Sequence, residues 1–313
     1  MSGIPANLAS LTPAPVVQES APRRRSLLRQ AARDLVTSRI ALGGLVVFGL
    51  LVVLALAAPW ITPQNPYDLA QLDIMDGRLP PGSVGMSGLT HWFGTDDQGR
   101  DLLSGILHGL RISLGVGVGT ALIAAVIGST LGLVAAFFGR RIDTLIMRLV
   151  DLQLSFPSVL VALMILAFLG KSIWNVVLAL VIVEWAYYAR TARAAAIAER
   201  RKEYVDAAVC LAVPRWRILF AHLLPNCLPP LMVITTIQVA RAIALEATLS
   251  FLGVGVPVTE PSLGLLIANG YQYMFSGQYW IIFFPGLTLL LLIVSINLLG
   301  DQLRDSLNPR GGS

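Results

Sequence analysis

The sequence predicts an all-α polytopic membrane protein with six transmembrane helices, and three observations predict it. Apolar residues make up 55% of the 313 positions and charged residues only 13%, where soluble domains carry roughly a quarter. Those apolar residues gather into six runs long enough to cross a hydrocarbon core, which takes about 20 residues. The cations concentrate between the runs on one side of the barrier, which is the topology signal of a membrane protein. A sequence pI of 9.6 alone would also suit a nucleic-acid binder, but the arginines flank apolar runs instead.

Residues 1–39 are rich in Pro, Ser and Ala and then basic, through Arg23, Arg24, Arg25, Arg29, Arg33 and Arg39. The first part has a disordered composition, and from about Ser26 a helix is expected against the membrane surface. Span one runs from Ile40 to about Ile61. Ala55-Leu56-Ala57 resembles a signal-peptidase site, but the apolar run exceeds a signal h-region and the arm before it is long, so the span is read as uncleaved.

Residues 62–100 are polar and interrupted by Pro63, Pro66, Pro80 and Pro81, which predicts an irregular loop on the far side. Thr95 followed by Gln98 fits a capping box, so an amphipathic helix is expected from about Asp96 to Leu110. Asp96, Asp97 and Asp101 read as acids suited to a helix start, with a divalent cation site as the alternative. Span two runs from about Ile112 to Phe138 and carries Gly115/Gly119 and Gly128/Gly132 at the four-residue spacing that lets transmembrane helices approach. Span three runs from about Leu145 to Leu169 with a kink at Pro157. Span four covers about Asn175 to Tyr188, span five about Leu228 to Leu252, and span six about Tyr279 to Leu299.

The chain is organised around 203–226, a polar and basic interruption between spans four and five. It opens with Glu203-Tyr204-Val205-Asp206-Ala207-Ala208, breaks at Pro214, resumes at Arg215-Trp216-Arg217 and stops at Pro225. Proline is excluded from helix interiors, so two short helices with a bend are expected. Small residues at Ala207, Ala208 and Ala212 let another surface approach the first helix. Six spans put both termini on one side, which collects eighteen Lys and Arg against four on the other; the termini and this loop are therefore expected to be cytoplasmic.

Catalytic chemistry finds no support. Gly170-Lys171-Ser172 imitates the end of a P-loop, but Ile165 stands where the first glycine is required. His91, His108 and His222 are too dispersed for a metal site, and no serine or cysteine has a base at a recognisable spacing. Cys210 and Cys227 are expected as reduced thiols near the cytosol. No catalytic residue, metal or cofactor is expected. Ionisable groups within spans are costly and face a cavity or a partner. Glu184, Arg241 and Glu246 are such groups, and they either line or gate a water-filled pathway or pair structurally.

The loop resembles the EAA loop of permease subunits of binding-protein-dependent ABC importers. Asp206-Ala207-Ala208 stands where Glu-Ala-Ala is usual, Ala212 where the motif has glycine, and Leu224-Pro225 match its end. Trp216-Arg217-Ile218 and His222-Leu223-Leu224-Pro225-Asn226 look like the oligopeptide and dipeptide branch. Phe93-Gly94-Thr95-Asp96, Gly99-Arg100-Asp101, Ala189-Arg190, Leu249-Ser250-Phe251-Leu252-Gly253 and the ending from Asn297 to Asp305 extend the likeness to its C-type subunit, over roughly residues 26–310.

The resemblance implies a type I importer permease fold and a heterodimer with a homologous second permease. It also implies two cytoplasmic ATPase subunits that hydrolyse ATP, and an extracytoplasmic solute-binding protein. The loop would act as a coupling helix docked in an ATPase groove, through Glu203, Tyr204, Asp206, Ala207, Ala208, Ala212, Pro214 and Arg215. Asp206 keeps the charge with shorter reach. Ala212 lacks glycine's freedom at positive φ, which leaves Pro214 as an alternative source of the bend. The expected organisation is an N-terminal arm at 1–39, the first transmembrane helix at 40–61, and an extracytoplasmic loop with an amphipathic helix at 62–110. A permease domain follows at 111–301, with the coupling loop at 198–226, then a cytoplasmic tail at 302–313. The expected cargo is a peptide or a similar small solute, with nickel or glutathione as alternatives within the family. A polytopic membrane enzyme or a non-transporting scaffold or sensor is the alternative outside it.

Overall fold

The computed structural model describes residues 38–68 and 72–307. The surface helix expected from Ser26, and the end of the tail, lie outside the described residues. Helix α1 (Arg39–Ile61) starts at Ser38, whose hydroxyl accepts from the Ala41 N–H. The following loop builds a compact lobe: a 3-10 turn at Ile74–Asp76 and a two-stranded antiparallel hairpin, β1 (Ser83–Val84) with β2 (Thr90–His91). Helix α2 (Leu102–Phe138) is 37 residues long. Next come α3 (Arg140–Ser155), α4 (Ser158–Leu169) and α5 (Ile173–Arg200). The loop holds α6 (Glu203–Cys210) and α7 (Arg215–Arg217). A π-helical turn at Ile218–Leu223 leads into α8 (Leu224–Phe251), and α9 (Leu263–Tyr271) and α10 (Trp280–Leu307) complete the chain. Five helical stretches are long and apolar enough to cross a membrane; the pair α3–α4 makes a sixth when counted as one broken span.

Three apolar clusters hold the bundle together. On the lobe side, α1, α2, α8, α9 and α10 converge around Leu102, Ile106, Ile243 and Leu266. A second cluster packs α4 onto the first half of α5 through Ala162, Leu166, Val176 and Leu180. The third, around Leu133, Ala192, Val205 and Ile218, ties the organising loop to the ends of α2 and α5. Helices α2 and α5 meet where Gly128 and Gly132 leave no room: a Cβ on either would lie 2.3 Å from a carbonyl oxygen of α5. The other pair, Gly115 and Gly119, meets nothing within 4 Å among the described residues, so among these residues one of the two small-residue notches is filled and the other is not.

Several boundaries differ from expectation. Span three is not a kinked helix over 145–169: α3 and α4 meet at 91° across Phe156-Pro157. Pro157 bars its predecessor from helical backbone, and Phe156 is extended, with ψ 143°. The capping box does not form. Thr95 Oγ1 instead donates to Asp76 O and accepts from the Leu79 N–H, and Asp101 caps α2 by accepting from Ser104 N and Oγ. Helix α2 therefore begins at Leu102 rather than Asp96, and it runs on without a break through span two. Pro225 does not stop the second half of the loop, because Arg215–Phe251 is a single helical run. The π turn shifts the local pairing, so that the Leu224 N–H reaches back to Leu219 O, and Pro225 follows one residue beyond this change of register. Helices α5 and α10 extend beyond spans four and six to Arg200 and Leu307, past the expected tail boundary.

Candidate functional site

The loop between α5 and α8 is built as a bracket with a packed inner face and a bare outer one. Val205 and Ala208 are buried with Leu133, Ala136 and Leu219. Ala207, Asp206 and Ala212 are exposed, as are Val209, Leu211 and Trp216, the last three 57%, 78% and 67%. Of the two alanines singled out in α6, then, Ala207 faces outward and Ala208 locks the helix to its own bundle. Glu203, Pro214 and Arg215 are exposed and Tyr204 is half-buried.

Helix α6 ends in a Schellman motif: the Val213 N–H donates to Ala208 O and the Ala212 N–H to Val209 O. That motif requires a left-handed residue between them, and Ala212 supplies it with φ +53°. The glycine-type turn is thus retained without glycine, at a cost of about 1 kcal/mol or more. Pro214 follows as the N-cap of α7 and sets the new direction rather than replacing the turn.

Behind the bracket, the Tyr204 hydroxyl donates to Glu199 Oε2 at 2.9 Å and accepts from Asn226 Nδ2 at 3.1 Å. Burial, aided by the Glu199 carboxylate, pushes the Tyr204 hydroxyl up to about 12, so it stays protonated. Lys202 also pairs with Glu199. Glu199 went unremarked in the sequence, although it is the single carboxylate in the basic run 189–202. Arg200 donates to Ala136 O at 2.9 Å and lies 5.7 Å above the Phe137 ring, tying the end of α5 to the end of α2. A cavity of about 620 Å³ opens between Phe137, Phe138 and the loop residues Asp206, Val209 and Pro214.

The three intramembrane charges do not converge. Glu246 is fully buried, its two oxygens accepting from Ser113 and Ser250 at 2.8 Å each; it makes no ion pair with Arg241. The Arg241 guanidinium stacks 4.3 Å over Tyr187 and donates to Ser158 Oγ at the start of α4. Glu184 is fully buried, and neither of its oxygens has a hydrogen-bond partner among the described residues. Arg241 acts on it electrostatically from beyond contact distance. Of these three side chains, Arg241 alone keeps exposed surface among the described residues.

In the lobe, Asp96 Oδ1 accepts from the Gln98 and Arg100 N–H groups, and Asp101 Oδ1 lies 3.0 Å from His91 Nδ1. Asp96 and Asp101 thus serve turn and cap, and no group of three metal-ligating side chains forms among the described residues. Arg100 reaches across to Val258 O at 3.2 Å, latching the lobe to the loop before α9. Burial raises the Asp96 carboxyl to about 6.

This architecture has known counterparts. The profile for "Binding-protein-dependent transport system inner membrane component" matches residues 128–311, and that for "N-terminal TM domain of oligopeptide transport permease C" matches 26–81. The di/tripeptide transport system permease protein DppC of Pseudomonas aeruginosa is 40% identical over 286 residues, 91% of this chain and 93% of that protein. The probable D,D-dipeptide transport system permease protein DdpC of Escherichia coli is 38% identical, covering 85% and 86%. Among solved structures, a chain of the MetNI methionine ABC transporter in an inward-facing conformation superposes with TM-score 0.54 at 18% identity, over 65% of this chain and 96% of that one. That likeness shows the type I importer permease fold. A bundle of membrane-crossing helices, a braced bracket between the fourth and fifth of them, and sequence identity across nine-tenths of the chain lead to one assignment: the chain belongs to the family of permease subunits of binding-protein-dependent ABC importers.

Proposed function

We propose that the chain forms half of a gated path for short peptides and couples it to ATP hydrolysis in separate subunits. Its fellows are a homologous second permease, two ATPases on the side of the loop, and an extracytoplasmic protein that delivers the solute. Peptides are favoured over nickel or glutathione because relatives such as DppC and DdpC carry peptide names. Both termini and the bracket face the cytoplasm, a reading supported by the eighteen-to-four partition of cations.

The observation that carries the coupling role is the two-faced bracket. Its rear is fastened to the bundle through Val205, Ala208, Tyr204 and Glu199, while its front offers Ala207, Val209, Leu211 and Trp216, exposed among the described residues. A push on the front is therefore transmitted to α5 and α8 as a rigid-body movement rather than absorbed in the loop. Ala207→Arg should abolish ATPase association and uptake while membrane insertion is retained; normal uptake by this variant would refute docking there. Ala208→Arg is a poorer test, since it drives a charge into the chain's own core. Glu184 and Arg241 are proposed to bias the gate, and Glu246 to clasp α2 to α8. Glu246→Gln should impair assembly or transport, and normal values of both would remove it from the mechanism.

A further inference from the structure

The right-angled break at Pro157 leaves α3 with a face of its own. Its inner side is fastened to α5: Val150 is buried with Ala186 and Ala189, Asp143 pairs with Arg193, and Asp151 with Arg190. The two aspartates are eight residues apart on α3, about 12 Å, while their arginines are three apart on α5, about 4.5 Å. A helix that advances so far along itself while moving so little along its neighbour crosses that neighbour steeply, in agreement with the 91° turn into α4. With its 12 residues, α4 is about 18 Å long and packs on the far-side half of α5. Helix α3 therefore runs near the membrane plane at the depth of Arg190 and Arg193, on the arginine-rich side.

The outer side of α3 carries Ile142, Leu145, Leu149 and Leu152, which are 42%, 64%, 52% and 62% exposed and fall at the three- and seven-residue spacing of one stripe. Along its edge Arg141 and Arg148 border a recess with Thr144 and Leu145, and neither arginine forms an ion pair among the described residues. Both carboxylates of α3, Asp143 and Asp151, face α5 instead. The stripe continues through Phe156 into Leu160 and Met164, the exposed side of α4. An apolar stripe bordered by arginine on a helix parallel to the bilayer is the pattern of an interfacial helix. The unpaired cations complement the anionic surface of the inner leaflet.

We infer that α3 is bedded in the cytoplasmic leaflet, its leucines among the acyl chains and Arg141 and Arg148 holding the phosphates of anionic phospholipids. The leaflet named here rests on the orientation proposed above, which labelling of exposed Cys210 by an impermeant maleimide reads independently. The test places a bimane fluorophore at Leu149→Cys in a Cys210→Ser background, leaving buried Cys227 in place. The chain is purified with whatever subunits accompany it from the membrane and put into nanodiscs containing brominated phosphatidylglycerol or brominated phosphatidylcholine. Brominated phosphatidylglycerol should quench more strongly, by about twofold or more, and Arg141→Gln/Arg148→Gln should bring the ratio to about one. Absence of quenching by either lipid means that protein covers the stripe and overturns the inference. So does equal quenching by both lipids in the parent, or a ratio unchanged in the double variant.

Discussion

Ala212 stores a measurable strain at the hinge of the bracket, and replacing it with glycine should release that strain. Alanine at φ +53° sits in the left-handed region at a cost of roughly 1–2 kcal/mol, because Cβ crowds the carbonyl. Glycine removes that cost but adds about 0.5–1 kcal/mol of chain entropy in the open form. The difference favours the closed bracket by about 0.5–1 kcal/mol, equivalent to a two- to fivefold fall in the local opening constant at RT of about 0.6 kcal/mol. Hydrogen exchange of a peptide covering 203–213 reads this directly: Ala212→Gly should slow exchange of the amides in α6 by that factor, while α8 peptides remain unchanged. Ala212→Val should act in the opposite sense and by more, since a branched side chain tolerates positive φ worse than alanine does. Exchange in Ala212→Gly that is unchanged or faster would refute the reasoning. It would mean that the Schellman bonds from Ala212 and Val213 do not limit opening of the loop.

Other perturbations have equally specific outcomes. Gly132→Val should prevent α2 from packing on α5, because its Cβ would lie 2.3 Å from Ala189 O; loss of folded protein in detergent gel filtration reads this. Gly115→Val, facing open space, should leave the isolated chain folded. Tyr204→Phe removes the bond to Glu199 and the acceptor for Asn226, and should loosen the bracket by about 1 kcal/mol, seen as about fivefold faster exchange in 203–213. The lobe should respond to pH through Asp96. Its folded value near 6 stands above the ordinary 3.8, so the folded lobe holds the proton more tightly than the open one. Its contribution is present below pH 4 and lost as pH rises through 6, an effect of about 3 kcal/mol. Exchange of 76–101, corrected for intrinsic rates, should therefore quicken between pH 4 and 6, and Asp96→Asn should flatten the profile.

Much of this architecture is written in local pattern. The runs that became α1, α2, α5, α8 and α10 are visible as hydropathy, because every backbone group in a bilayer must be satisfied within its own helix. The loop between α5 and α8 is visible as charge and proline. The left-handed turn at Ala212 is not, because alanine carries no signal for positive φ and only the structure shows it. What local pattern leaves open are quantities that depend on partners distant in the chain. Pro157 signals a break, but the 91° angle becomes visible only with α3 laid across α5 through Val150, Asp143 and Asp151. Two glycine pairs look alike in the sequence, yet Gly128 and Gly132 are filled by α5 while Gly115 and Gly119 are bare. Glu246 could have faced Arg241 five residues before it, but Ser113, 133 positions away, reaches its carboxylate first. Ala207 and Ala208 differ only in which side of a short helix meets the core formed by Leu133 and Leu219. Hydropathy and backbone preference act over one or two turns and set the elements; which face of each element is covered is decided by side chains brought together only when the bundle closes.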